Sequence, residues 1–208
     1  MKDAAQQIGL ALKLALRDQD EGVRREAARA IERLEIAKGI DRLLPNLRSP
    51  DTTLVLKTLY ALAEIGSRKA LDGIVSLLHS PRVEVRAAAV KILRARKDPS
   101  TITPLVELLD DPSPDVQVVT VEALAGFRDP RLVDLLALRI GNGPEMVQTA
   151  VLQALGRLGG VRAIEQVLPV LASGSPPLRR VAAQVLGELG VLMADEAETS
   201  GPAATPPA

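Results

Sequence analysis

The stretch "VRREAARAIERL" spans Val23–Leu34, and "VRAAAVKILRAR" spans Val85–Arg96. One chain writes nearly the same helix twice, and the spacing is a multiple of a shorter period. Val23, Leu54, Val85, Val116, Val147 and Leu178 follow one another at intervals of 31 residues. Eight positions after each comes Ile31, Leu62, Leu93, Leu124, Leu155 or Leu186. Eleven positions after each comes Leu34, Ile65, Arg96, Phe127, Leu158 or Leu189. Offsets of 0, 8 and 11 trace one face of a helix. A column of small or β-branched residues, with Ala30, Ala61, Ala123 and Ala154, lies beside that face.

A second apolar pattern precedes each of these helices. Ile40, Leu43, Leu44 and Leu47 recur as Leu71, Ile74, Val75 and Leu78, and again as Ile102, Leu105, Val106 and Leu109. Pro50, Pro81 and Pro112 fill the slot between the two helices, and Gly143 and Gly174 replace them later. Both residue types end helices and set turn geometry. A pair of helices this short cannot bury its own apolar face, whereas stacked pairs share a continuous core. The period therefore predicts an all-α, right-handed α-solenoid of about six helix pairs over residues 1–190. The units run 4–36, 37–66, 67–97, 98–128, 129–159 and 160–190. The acidic, Pro- and Ala-rich stretch 191–208 reads as a disordered tail.

Composition agrees with stacked helices. Of the 208 residues, 47% are hydrophobic but only 1% are aromatic. Leu, Val, Ile and Ala must make the core. There is no Cys, which excludes disulfides and thiolate chemistry, and His79 alone cannot form a His cluster for a metal. No apolar run reaches the roughly 18 residues of a membrane span. The expectation is a cytoplasmic protein without cofactor. Residues 1–97 carry a basic excess and the rest an acidic one, although the whole is neutral.

The phrases "VRREAARAIERL", "VRAAAVKILRAR" and "LRRVAAQVLGEL" resemble the second helix of HEAT repeats, in the short bacterial subtype known from phycobilin lyases. "RLLPNLRSPD", "PLVELLDDPSPDV" and "QVLPVLASGSP" are similar to first helices with their turns, with Pro45 and Pro169 where the family commonly kinks. The resemblance covers about residues 4–190. It implies a bacterial binding scaffold, with a bilin lyase or other chromophore-handling subunit as an alternative. It also implies a structural ladder in which Arg24, Arg86 and Arg179 pair with turn acids such as Asp20, Asp51 and Asp115. A HEAT-type enzyme built on several His–Glu metal pairs is excluded by the single His.

No catalytic or metal-binding constellation emerges. Glu107, Asp110 and Asp111 lie close in sequence, but they read as polar residues leading into the turn at Pro112. His79 suits a helix C-terminus. The second helices of such arrays line the concave surface. Offsets 2, 3, 6 and 10 should face solvent there, yet Leu56, Tyr60, Val118 and Val119 are apolar. With Lys57, Lys91 and Glu122 at its rim, this strip is the expected partner-binding groove, with Arg25 and Arg29 as a further basic rim. The alternative is burial of the strip by superhelical curvature. The favoured partner is a helix or peptide of another protein, of unknown identity. Nucleic acid is disfavoured. Arg24, Arg25, Arg29 and Arg33 alternate with Glu21, Glu26, Glu32 and Glu35, and the pI is about 6.6. Leu10 and Leu14 fall on the outer side of the first unit and form a second candidate contact.

Overall fold

A computed structural model describes residues 2–199 of the chain. Among them 82% are helical and none is in a strand, so the fold is of the all-α solenoid class. No described helix is long and apolar enough to cross a membrane. The chain divides into two compact units, Met1–Ile74 and Val75–Ala208.

Unit 1 contains α1 (Lys2–Ala15), α2 (Glu21–Leu43), α3 (Thr52–Ile65) and most of α4 (Arg68–Ser76). Asp20 caps α2 by accepting from the Val23 N–H at 3.0 Å, and Asp51 caps α3 through the Thr53 N–H at 2.8 Å. These caps satisfy amides that the first helical turn leaves unpaired. Pro45 sits in a 3-10 turn, Leu44–Arg48, that continues α2. Gly73 lets α4 approach this turn, for a Cβ there would lie 2.7 Å from Leu44 Cδ2.

Unit 2 contains α5 (Val83–Arg96), α6 (Ile102–Glu107), α7 (Pro114–Ala125), α8 (Leu132–Ala137), α9 (Glu145–Leu158), α10 (Gly160–Ser173) and α11 (Pro176–Thr199). The longer helices α5, α7, α9 and α11 stack side by side, and α6, α8 and α10 pack behind them. Two of the first helices, α4 and α6, end in a 3-10 turn, at Leu77–His79 and Leu108–Asp110, each just before a turn proline. Pro169 lies inside α10.

The stacking runs through the columns found in the sequence. Val85, Val116 and Val147 are at most 2% exposed, and Leu93, Leu124 and Leu155 are fully buried. Between them, Ala89, Thr120, Val151 and Ala182 form a fully buried column of small and β-branched residues, again 31 apart. Small side chains there bring neighbouring helix axes close. Thr120 is the misfit, because its Oγ1 is buried with no hydrogen-bond partner. An unsatisfied buried hydroxyl is destabilising.

A second period marks where the helices stop. Gly66, Lys97, Arg128 and Gly159 follow one another at intervals of 31 and have φ values of 69°, 51°, 53° and 73°. A left-handed residue just past the last turn ends a helix by redirecting the chain. The same slot holds Glu35 in the first unit and Gly190 in the last, and helix continues through both. Thus α2 crosses the boundary at 36/37, where the period places a break. Glu35-Ile36-Ala37-Lys38 has no glycine or proline, and Glu35 pairs with Lys38 at 2.9 Å. Likewise α11 carries helix through residues 191–199, where the composition suggests a disordered tail. Helix-forming Leu, Met, Ala and Glu precede Gly201 and Pro202 there. Residues 200–208 lie outside the described residues.

The arginine ladder takes a different form from the expected one. Arg86 Nε and Nη2 donate to both oxygens of Asp111 at 2.7 and 2.8 Å, and Nη1 donates to the Ser80 carbonyl at 2.8 Å. The two side chains are 9% and 4% exposed. Arg24 reaches only backbone carbonyls, those of Asp18 and Gln19. Arg179 is exposed. Asp20 and Asp51 cap helices instead, and Asp115 lies exposed in the first turn of α7. The reason is position: a carboxylate must stand at the next turn, 25 residues after the arginine, and that slot holds Ser49 after Arg24 but Asp111 after Arg86.

Burial alone would raise the Asp111 carboxyl. Hydrogen bonds from the Arg86 guanidinium and the Ser113 N–H outweigh it and hold the group below its usual range. The lowered folded value means that this stabilisation is full above the unfolded carboxyl value of about 4 and disappears as pH falls through the folded one. Asp111→Ala should cost about 3–5 kcal/mol at neutral pH by stranding a buried guanidinium. In urea unfolding, the gap between variant and wild type should narrow below about pH 4; a gap independent of pH would refute the assignment. Thr120→Val should instead raise the thermal midpoint by about 2–4 °C, from a gain near 1 kcal/mol. A lower midpoint would mean that the hydroxyl is satisfied in solution.

Candidate partner-binding surface

The groove residues expected from the sequence fall in both units. On α3, Leu56 is half-buried, Lys57 is exposed and Tyr60 is 55% exposed. In unit 2, Lys91 is exposed on α5, while Val118, Val119 and Glu122 of α7 are half-buried. Val118 and Val119 therefore show less apolar surface than their columns suggest, on a helix that packs against α5 and α9.

Two clefts open on the face formed by the second helices of unit 2. The first, of about 380 Å³, crosses α7 and α9. Val118, Met146, Thr149 and Ala150 line it, with Glu122 and Glu145 beside them. Met146 is 47% exposed, an apolar side chain open to a ligand. The second, of about 630 Å³, lies toward the C-terminal ends of the same helices. Its floor is small, with Ala95, Ala125, Gly126 and Gly156, and Leu192 of α11 closes one side. Lys91, Arg94, Lys97, Arg128 and Arg157 surround it. Glu122 lines both clefts and binds Arg94 at 2.6 Å. The two clefts meet at Glu122, and the trough they make is acidic and apolar at one cleft and basic at the other.

Arg157 falls at offset 10 of its unit, a solvent-facing position, whereas Lys97 and Arg128 lie at offset 12, outside the columns expected to face a partner. The signal was present in the column Gly66, Lys97, Arg128, Gly159, where two cations stand at a helix stop that prefers glycine. Lys97 and Arg128 are the non-glycine residues with positive φ among the described residues. Holding a side chain there costs about 1 kcal/mol relative to glycine. A cation at a helix C-terminus gains about 0.3–1 kcal/mol from the macrodipole. The two effects nearly cancel, so stability alone does not account for the cations.

Other candidates resolve into local pairs. Arg25 binds Glu21 at 2.7 Å and Arg29 binds Glu26 at 2.8 Å, along their own helix. Asp110 binds Arg139 at 2.8 Å, Asp111 binds Arg86, and Glu107 lies 3.9 Å from His79. These three acids therefore do not converge, and no group able to hold a metal ion occurs among the described residues. Phe127 is half-buried in its core column. In unit 1, Leu10 and Leu14 are both 65% exposed, and Leu10 lines a cleft of about 300 Å³ between α1 and α2.

Known proteins can now be compared with this architecture. No curated protein sequence matches the chain. Among solved structures, a designed armadillo repeat protein in complex with the peptide (KR)4 is similar at a TM-score of 0.54 and 18% identity, over 88% of this chain and 99% of that one. Human deoxyhypusine hydroxylase is similar at 0.53 and 17% identity, over 77% and 76%. The CpcE–CpcF complex of phycocyanin lyase from Nostoc sp. PCC7120 gives 0.49 and 26% identity, over 90% and 79%. The family model for HEAT repeats matches residues 40–116 and 102–187, which together make up more than half of the sequence. The chain therefore belongs to the HEAT-repeat family.

Proposed function

We propose that this protein is a non-catalytic scaffold that binds a helix or extended segment of another protein on its second-helix face. The observation that carries the reading is the trough across α5, α7 and α9. It combines an accessible apolar floor at Val118 and Met146 with charged groups of both signs along its length. An apolar centre within a charged rim is the usual anatomy of a protein interface. A surface made by several stacked helices suits an elongated ligand better than a small molecule. Glu107 lies 3.9 Å from His79, Asp110 binds Arg139 and Asp111 binds Arg86, so these three acids do not form one group. Leu56, Lys57 and Tyr60 present the equivalent face of α3, and Tyr60 is the large amphipathic anchor there.

Affinity capture from source-cell lysate, read by quantitative mass spectrometry, tests the proposal. Wild type is run beside a Met146→Glu, Thr149→Glu variant whose helicity and thermal midpoint are shown to be unchanged. A protein retained by the wild type and lost by the variant is the expected result. Equal retention by both would move the interface away from this face, with Leu10 and Leu14 next in line. Retention abolished by nuclease would replace a protein partner with nucleic acid.

A further inference from the structure

We propose that the basic end of the trough in unit 2 takes an acidic segment, with its carboxylates set against Lys97, Arg128 and Arg157. The inference rests on the protein-binding reading above and names the chemistry of the partner. Three observations carry it.

The first is segregation of charge. Unit 2 as a whole holds slightly more acid than base. Yet five cations and one carboxylate surround the second cleft, and that carboxylate, Glu122, is already engaged by Arg94 at 2.6 Å. Among the described residues, Lys91, Lys97, Arg128 and Arg157 make no ion pair, and all four are exposed. A concave surface with an excess of one sign focuses potential and draws the opposite charge.

The second is the backbone beneath two of these cations. Lys97 and Arg128 hold left-handed conformations, with φ of 51° and 53°, where the equivalent residues Gly66 and Gly159 are glycines. The fold itself does not require a side chain at this slot. Strain concentrated at a surface cleft is the pattern seen at ligand sites.

The third is what the floor excludes. Ala95, Ala125, Gly126 and Gly156 place no bulky side chain in the lining. No aromatic side chain lines the cleft, so bases have nothing to stack on. The neighbouring cleft carries Glu145 and no cation in its lining. A uniformly charged nucleic-acid strand is repelled there, whereas a peptide can place carboxylates at one end and an apolar side chain against Val118 and Met146 at the other.

The test is fluorescence anisotropy of the full chain with a short labelled peptide of Glu and Leu. The same peptide with Gln for Glu and a single-stranded oligothymidylate are compared in parallel. The Lys97→Gly, Arg128→Gly variant removes two cations without removing a helix stop, so its thermal midpoint should equal or exceed that of the wild type. The Glu peptide should bind, weaken as salt rises, and lose about tenfold in affinity in this variant, from two contacts of the size of exposed ion pairs. The Gln peptide should bind more weakly than the Glu peptide. Equal affinity for the Glu and Gln peptides, or no loss in the glycine variant, would overturn the proposal. Tighter binding of oligothymidylate would overturn it in favour of nucleic acid. If no acidic peptide binds while a captured protein is still lost in the Met146→Glu, Thr149→Glu variant, the scaffold reading stands and only this assignment of partner chemistry falls.

Discussion

A helix pair of this length exposes more apolar surface than it can cover by itself. Everything else in unit 2 follows from how that surface is shared. Ala89, Thr120, Val151 and Ala182 lie fully buried where one long helix meets the next, and Leu93, Leu124 and Leu155 fill the adjoining layer. Small residues in one column set a close axial approach, and leucines in the other supply most of the buried area. Such a core needs no large rings, which is why two aromatic residues suffice for the chain. The arrangement also leaves one flank of the long helices open. With one flank of each long helix committed to its neighbours and another to the first helices, the remaining flank forms a broad, ribbed face.

Polar interactions then decide how regular the stack is. Arg86 ties the loop at Ser80 to the turn at Asp111, with a bidentate pair that is almost fully removed from water. A charge pair at such depth contributes mainly by fixing geometry, since desolvation offsets much of its attraction. No equivalent carboxylate meets Arg24, whose guanidinium settles on backbone carbonyls. The ladder is therefore a single strong rung. Helix stops show the same selectivity. Gly66 and Lys97 end α3 and α5 in left-handed caps, Gly159 ends α9 with positive φ, and Arg128 takes positive φ two residues past the cap of α7, whereas Glu35 and Gly190 lie within longer helices.

The face left open by this packing is uneven in chemistry. Its acidic, apolar end and its basic end share Glu122, which is held by Arg94 and so joins the two clefts rather than neutralising either. An elongated ligand crossing several helices would meet these environments in order, which gives direction as well as affinity. Under the proposed binding, each helix would contribute one or two side chains, and their variation from unit to unit would set the specificity.

The 31-residue period alone determined the fold class, the helix pairs and the core columns, because helical geometry converts spacing directly into a buried face. Asp20 and Asp51 as helix caps, the continuity of α2 and the helical course of residues 191–199 depended on local competition between capping, breakers and helix formers, which a period does not encode. The proposed binding face was legible only in part. Tyr60 and Lys91 are exposed, while Leu56, Val118, Val119 and Glu122 are half-buried. The basic trough required tertiary structure altogether. Lys97 caps α5, Arg128 follows α7 and Arg157 lies in α9, and only stacking brings these places together around a lining of alanine and glycine. The pairing of Arg86 with Asp111 was decided in the same way, since which acid an arginine meets depends on where the next turn passes, and that position is set by packing rather than by sequence distance.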